Sequence, residues 1–235
     1  MVKLELRSIS KSYKQVTAIK NFSYEFSNGV YGILGPNGAG KSTLMNIITR
    51  NINSDGGEMF FCGENVEKLK QHYIGHIGYM PQQQAIFDNF TLLRFMYYIA
   101  ALKNVKKRKA SVEIEELLSR VDLWNERNQK LGSFSGGMKQ RALIAQALLG
   151  NPDIVILDEP TAGLDPMQRV AVRDIIKGMA KDKIFIVSTH VVSDIESIAK
   201  QIIVMKKGEI IEDRDMSGAL KYSESLEEMY IRLFS

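Results

Sequence analysis

Val30-Tyr31-Gly32-Ile33-Leu34-Gly35-Pro36-Asn37-Gly38-Ala39-Gly40-Lys41-Ser42-Thr43 is an apolar run that ends in glycines and then in a lysine and two hydroxyls. It reads as strand, loop and helix, and from Gly35 its spacing is G-x-x-x-x-G-K-S. Glycines at 35, 38 and 40 let the backbone turn with positive φ and bring successive N–H groups onto an anion. Pro36, Asn37 and Ala39 complete the loop. Lys41 adds a point charge against the outer phosphates of a nucleotide, and Ser42 Oγ is placed to ligate the accompanying magnesium. The helix from about Lys41, with Leu44, Ile47 and Ile48 as its apolar stripe, aims its positive end at the phosphates. The stretch predicts a nucleoside-triphosphate site. It says that a triphosphate binds, not what is done with it.

A length of 235 residues suffices for one large domain or a domain with a small subdomain. Hydrophobic residues at 45% and charged ones at 25% are ordinary globular values, so composition gives no sign of disorder or fibre. A net charge of +4, from 31 basic and 27 acidic side chains, is too mild for a nucleic-acid surface. The local excess Lys103, Lys106, Lys107, Arg108 and Lys109 reads as a solvated helix end, with an acidic partner or lipid headgroups as the alternative. Cys62 is the only cysteine, which excludes an intrachain disulfide framework and suggests a reducing compartment. It forms no zinc pattern with His72, His76 and His190. The start alternates like a strand rather than a secretion signal. No apolar run approaches the ~20 residues of a membrane span. The expectation is a soluble chain whose membrane role, if any, comes through a partner.

Upstream of the loop, Leu4 and Leu6, then Phe22, Tyr24 and Phe26, mark alternating strands that predict an antiparallel edge. Tyr13 lies among polar residues there and, taken alone, reads as packing. Downstream, Asn53 to Glu58 reads as a turn and Met59 to Gly63 as a short strand. Another strand ends at Ile77-Gly78-Tyr79-Met80, where Pro81 leaves Gln82 heading a loop. From Thr91 the period becomes helical, which places a helical subdomain at about 88 to 135. Phe87, Phe90, Phe95, Tyr97 and Tyr98 gather around it, as core packing where buried and as a docking surface where exposed.

Ser135-Gly136-Gly137-Met138 opens a further helix and has the form of a second anion-binding N-terminus. Ile154-Val155-Ile156-Leu157 is wholly apolar, as at the centre of a parallel sheet, and ends in Asp158 and Glu159. Ligands of open α/β sheets bind at the carboxyl ends of strands. Successive strand residues point oppositely, so Asp158 is expected on the metal and Glu159 on the attacking water. A helix follows Ala162-Gly163-Leu164-Asp165-Pro166, a buried strand ends in Thr189-His190, and an amphipathic tail helix runs from about Ser225 to Phe234.

The order of phosphate loop, Gln82 loop, Ser135-Gly136-Gly137, Asp158-Glu159 and His190 resembles the ATP-binding subunits of ABC transporters over essentially the whole chain. Ser135-Gly136-Gly137-Met138-Lys139-Gln140 is similar to that family's signature, which other phosphate-loop proteins lack. The resemblance implies an α/β fold: a phosphate-loop NTPase with a RecA-like core, an antiparallel β edge subdomain and a helical signature subdomain, in one ABC-type domain over 1–235. It assigns Tyr13 to adenine stacking and Gly35 through Thr43 to the phosphates. Gln82 falls to magnesium and to sensing a transmembrane partner, and Asp158 to the metal. Glu159 becomes the general base, Asp165 the D-loop aspartate and His190 the γ-phosphate switch.

Ser135, Gly136 and Gly137 of one subunit would close over ATP and Mg2+ held by another, in a homodimer or heterodimer. The implied protein is an ATPase, at the cytoplasmic face of the cell membrane, that powers a separate transmembrane permease exporting a drug, peptide or lipid-like substrate. Nucleic acid is not an expected partner. Phe134 and Met138, the Gly29 to Gly32 lead-in and the tail from Ser225 to Tyr230 resemble the drug and peptide (ABC-2, bacitracin-exporter-like) branch. Arg94 stands where many relatives carry glutamate. The alternative is a soluble ABC-type ATPase acting on a cytosolic macromolecular assembly.

Overall fold

The computed structural model of the protein describes residues 1–83, 87–216 and 224–235. In chain order the elements are β1 (Lys3–Tyr13), β2 (Val16–Ser27), β3 (Gly29–Leu34), α1 (Lys41–Ile48), β4 (Gly56–Phe61) and β5 (Glu64–Asn65). Then come α2 (Val66–Leu69), α3 (Gln71–Gly75), β6 (Ile77–Met80), α4 (Leu92–Leu102), α5 (Lys107–Arg120) and α6 (Gly136–Leu148). The rest are β7 (Ile154–Asp158), α7 (Pro166–Met179), β8 (Ile184–Thr189), β9 (Gln201–Lys206), β10 (Glu209–Asp215) and α8 (Leu226–Phe234).

Two sheets form. One is antiparallel in the order β2-β1-β4-β5; the other runs β10-β9-β3-β8-β7-β6, parallel from β9 to β6 with β10 antiparallel at its edge. The early alternating strands therefore make a sheet of their own, separate from the one that carries the loop. β4 starts at Gly56 and stops at Phe61, where Cys62 and Gly63 take positive φ and turn the chain. The turn expected to reach Glu58 is thus shorter, because pairing with β1 extends the strand through both glycines.

The central strands are apolar on both faces because both faces are covered. Val155 and Leu157 of β7 join Phe185, Val187 and Val204 against α4 to α8, while Ile154 and Ile156 join Ile184, Ile186 and Ile203 against α1 and the antiparallel sheet. Each such side chain taken from water stabilises by roughly 1.5–3 kcal/mol. Between residues 88 and 135 the described elements are α4, α5 and a single 3-10 turn at Leu131–Ser133, with one isolated bridge from Thr91 to Lys130.

The lysine-rich break divides by role. Lys106, Lys107, Arg108 and Lys109 are exposed, as a solvated helix start should be. Lys103 instead turns inward, and its Nζ donates to the carbonyls of Leu149 at 2.7 Å and Ala147 at 3.3 Å, where α6 ends. Glu113 accepts from Gly150 and Asn151 N–H on the same turn, which binds the α4–α5 pair to the core. Burial pushes the Lys103 ammonium down to about 8, against the raising effect of Glu113. Because the folded value lies below the ordinary lysine value of 10.5, the unfolded chain holds more protons between the two, and stability rises with pH across that window. We expect urea midpoints to climb between about pH 8 and 9.5, by at most about 1.4 kcal/mol per pH unit for this group. Lys103→Met should flatten the climb; an identical slope in that variant would remove Lys103 as its source.

Candidate active site

The carboxyl ends of β3 and β7 meet at one opening of about 140 Å³, lined by Pro36 through Thr43, Gln82, Asp158 and Glu159. β3 and β7 flank β8 in the parallel sheet, so the two motifs are neighbours in space although far apart in sequence. Gly40 precedes α1 at φ +106°, and a Cβ there would lie 2.5 Å from Ala18 O, so no other residue fits without moving the β2 backbone. α1 begins at Lys41, and its first N–H groups lack intrahelical acceptors and face the opening with the positive end of the helix. The loop is buttressed from behind: Gly208 N–H, in the β9–β10 turn, donates to Ala39 O at 2.9 Å.

Lys41 is buried and curls over its own loop, with Nζ donating to Gly35 O at 2.6 Å and Pro36 O at 3.2 Å. Burial lowers its pKa, opposed by the charges of Glu159 and Asp158. Asp158 and Glu159 are both buried and line the same opening. Strand alternation does not separate them as expected, because β7 ends at Asp158 and Glu159 leaves it with a left-handed φ of 53°. A non-glycine residue in this region costs on the order of 1–3 kcal/mol and persists where the surrounding structure fixes it.

Ser188 on β8 organises the pair, donating from Oγ to Asp158 Oδ1 while its Oγ and its carbonyl both accept from Glu159 N–H at 3.1 Å. Sequence reasoning missed Ser188; its place one residue before the Thr189-His190 strand end was the available signal. His190 Nδ1 lies 3.0 Å from both Glu159 carboxylate oxygens. The imidazole is otherwise half exposed. With Nδ1–H donating to the carboxylate, Nε2 remains for another partner.

The other sequence-predicted residues stand apart from this opening. Tyr13 is 47% exposed at the end of β1, with Lys11 Nζ 5.8 Å from its ring. Ser135 is the N-cap of α6, its Oγ accepting from Met138 N–H, and Asp165 caps α7 in the same way through Gln168 N–H. Ser135, Gly137 and Met138 line a different opening with Met167, Gln168 and Ala171, and no residue of the phosphate loop borders it. A Cβ at Gly137 would sit 2.7 Å from the end of the Gln168 side chain, which would have to swing aside. Gly136 has open space in that direction. Among the aromatics, Phe95 is buried, while Phe87 and Tyr98 are exposed and form one face with Phe90, over which Arg94 lies at 4.2 Å.

A family model described as "ABC transporter" matches residues 19–162, which is more than half of the chain. The chain belongs to the ABC transporter family. Among its relatives is an uncharacterized ABC transporter ATP-binding protein, YxlF, of Bacillus subtilis (strain 168), 38% identical over 88% of this chain and 69% of the relative. Another is the Nod factor export ATP-binding protein I of Burkholderia orbicola (strain AU 1054), 30% identical over 87% and 68%. The dimeric post-hydrolysis structure of the ATP-binding cassette MJ0796 bound to ADP and Pi aligns with a TM-score of 0.81 at 26% identity, over 92% of this chain and 99% of that one. An ATP-binding subunit of an ABC transporter shares the fold at a TM-score of 0.86 and 23% identity, over 99% of both chains. The chain is an ATP-hydrolysing ABC cassette of the phosphate-loop NTPase fold, from a family whose cassettes dimerise and work with transmembrane components. Among the described residues, no helix is long and apolar enough to cross a membrane.

Proposed function

We propose that the protein is the nucleotide-binding subunit of an exporter, that it dimerises around two ATPs, and that it powers a separate transmembrane permease at the cytoplasmic face of the cell membrane. In this reading the whole of 1–235 is one ABC-type domain, with the helical subdomain at about 88–135. The observation that carries it is the division of the site. The phosphate loop, Gln82, Asp158 and Glu159 share one opening, while Ser135 and Gly137 border another. A second copy, turned head to tail, would bring Ser135 to Gly137 over the nucleotide held by Gly35 to Thr43. Met167 and Val170 are exposed on α7, which supplies apolar area for such a contact.

Lys41 and the start of α1 would hold the phosphates, and Tyr13 would lie against the adenine. Ser42, Gln82 and Asp158 offer oxygen donors on the same opening, and Ser188 engages Asp158 through Oδ1. That donor set suits Mg2+, which when bound neutralises charge on the phosphate oxygens. Glu159 takes a proton from the attacking water as the bond from the γ-phosphorus to its bridging oxygen breaks. His190, held against Glu159 through Nδ1–H, would donate from Nε2–H to a γ-phosphate oxygen as a doubly protonated ring, and Asp165 faces the partner protomer. The substrate side rests on resemblance to the ABC-2, bacitracin-exporter-like branch and on a relative named for Nod factor export. Drug, peptide and lipid-like molecules fit that branch.

The Phe87–Phe90–Tyr98 face, with Phe87 and Tyr98 exposed, is the surface offered to the permease. The test is purification from detergent-solubilised membranes. A multi-span protein should accompany the chain, and Phe87→Asp with Tyr98→Asp should release it. Recovery only in a cytosolic complex would sink the reading in favour of an ATPase acting on a macromolecular assembly.

A further inference from the structure

Beyond the opening lies a polar group that the catalytic reading does not use. Asp194 sits in a single 3-10 turn, Val192–Asp194, just after His190, and its side chain is only 5% exposed. One of its oxygens, Oδ2, accepts from Thr161 Oγ1 at 2.6 Å and from Arg169 at 3.2 Å. Thr161 is itself buried, two residues beyond Glu159, in the turn closed by Ala162 N–H on Glu159 O and Leu164 N–H on Thr161 O. Arg169 also donates from Nε to Leu164 O, next to Asp165. Arg173 donates to Ser193 O at 2.6 Å. From its other side the turn is covered by α8, whose Leu226 and Met229 share a core with Ile195. Buried Arg214 fastens the start of α8 by donating to Glu224 O.

These contacts close a ring. The chain runs from Glu159 to Thr161, a hydrogen bond crosses to Asp194, the chain returns to His190, and His190 Nδ1 contacts Glu159. We propose that Thr161 and Asp194 are positioning residues that set the distance between His190 and Glu159, with Arg169 tying the same carboxylate to the turn that bears Asp165. The proposal rests on the assignment of Glu159 and His190 above. A buried carboxylate that accepts from both a hydroxyl and a guanidinium is held far more firmly than the half-exposed imidazole it governs. Without the Thr161 hydroxyl, the segment from His190 to Asp194 keeps its attachment to α7 but loses its tie to the turn behind Glu159. The imidazole is then free to leave the carboxylate. A displacement of about 1 Å at a catalytic contact is enough to cost on the order of 100-fold in rate.

The experiment uses the full chain with Thr161→Val, which keeps the shape and removes the hydroxyl, and Thr161→Ser, which keeps the hydroxyl. Thr161→Val should lower kcat roughly 10-fold to 100-fold with KM for ATP within about twofold, and Thr161→Ser should restore most of it. With the three histidines labelled, the imidazole NMR signals of His190 should move in the valine variant while those of His72 and His76 stay in place. A valine variant with native kcat, a loss that serine does not restore, or a loss with the His190 signal unmoved would each overturn the proposal. If Glu159→Gln still hydrolyses ATP, the underlying catalytic assignment fails; if Glu159→Gln is dead and Thr161→Val is native, only the positioning role does.

Discussion

Glu159→Gln should abolish steady ATP hydrolysis, by roughly 10²-fold to 10⁴-fold for loss of a general base, while leaving ATP binding intact. The two effects separate because the structure separates their causes. In the proposed reading the phosphates are held by the loop and the start of α1 and the cation by donors that include Asp158, none of which the substitution touches. Glutamine has nearly the shape of glutamate, and its carbonyl oxygen can still accept from His190 Nδ1–H, now 3.0 Å from both carboxylate oxygens. The backbone at 159 stays anchored through its N–H to Ser188. What is lost is the group that takes the proton from water. In the dimer reading, hydrolysis is the event that opens the complex, so the variant should accumulate with ATP as a species of twice the monomer mass in size-exclusion chromatography. Hydrolysis at a near-native rate would remove Glu159 from the role of base, and a monomer with ATP bound would sink the sandwich.

Residue spacing carried much of the fold, because the decisive elements are local and both their faces or ends are chemically marked. The run from Val30 to Thr43 could hardly be anything other than strand, loop and helix, and Leu44, Ile47 and Ile48 are buried as their spacing requires. Ile154 to Leu157 announced a strand covered on both faces. Features that depend on tertiary contact were not legible. Lys103 looked like its exposed neighbours, and only the end of α6 beneath it turns it inward. The early strands alternate correctly, but alternation says nothing about which sheet they join. Asp158 and Glu159 were expected to diverge by pleat, whereas the left-handed φ at Glu159 brings both to one opening. Thr161, Arg169 and Asp194 lie in three different segments, and nothing in their spacing shows that they meet. Ser135 was legible as the start of a helix. Its separation from the phosphate loop emerged only from the lining of the two openings.

That separation makes a second large effect testable by mixing. Lys41→Met keeps the aliphatic stem but removes the charge proposed to meet the phosphates, so its homodimer should have two dead sites. Ser135→Arg places a bulky cation at the exposed start of α6, at a cost of about 1 kcal/mol for the lost cap, and its homodimer should also be inactive. If Ser135 serves the nucleotide of its own chain, every subunit in the mixture carries one lesion in its own site, and mixing recovers nothing. If Ser135 serves the nucleotide of the partner, a heterodimer concentrates both lesions in one site and leaves the other with an intact Lys41 and an intact Ser135. At equal mixing about half of the dimers are heterodimers with one whole site of two, so roughly a quarter of the native ATPase activity should return under symmetric pairing. Activity no greater than the sum of the two separate variants would place Ser135 in its own chain's site. Recovery near a quarter would instead make each ATP the joint property of two chains, with the exposed Met167 and Val170 of α7 buried between them.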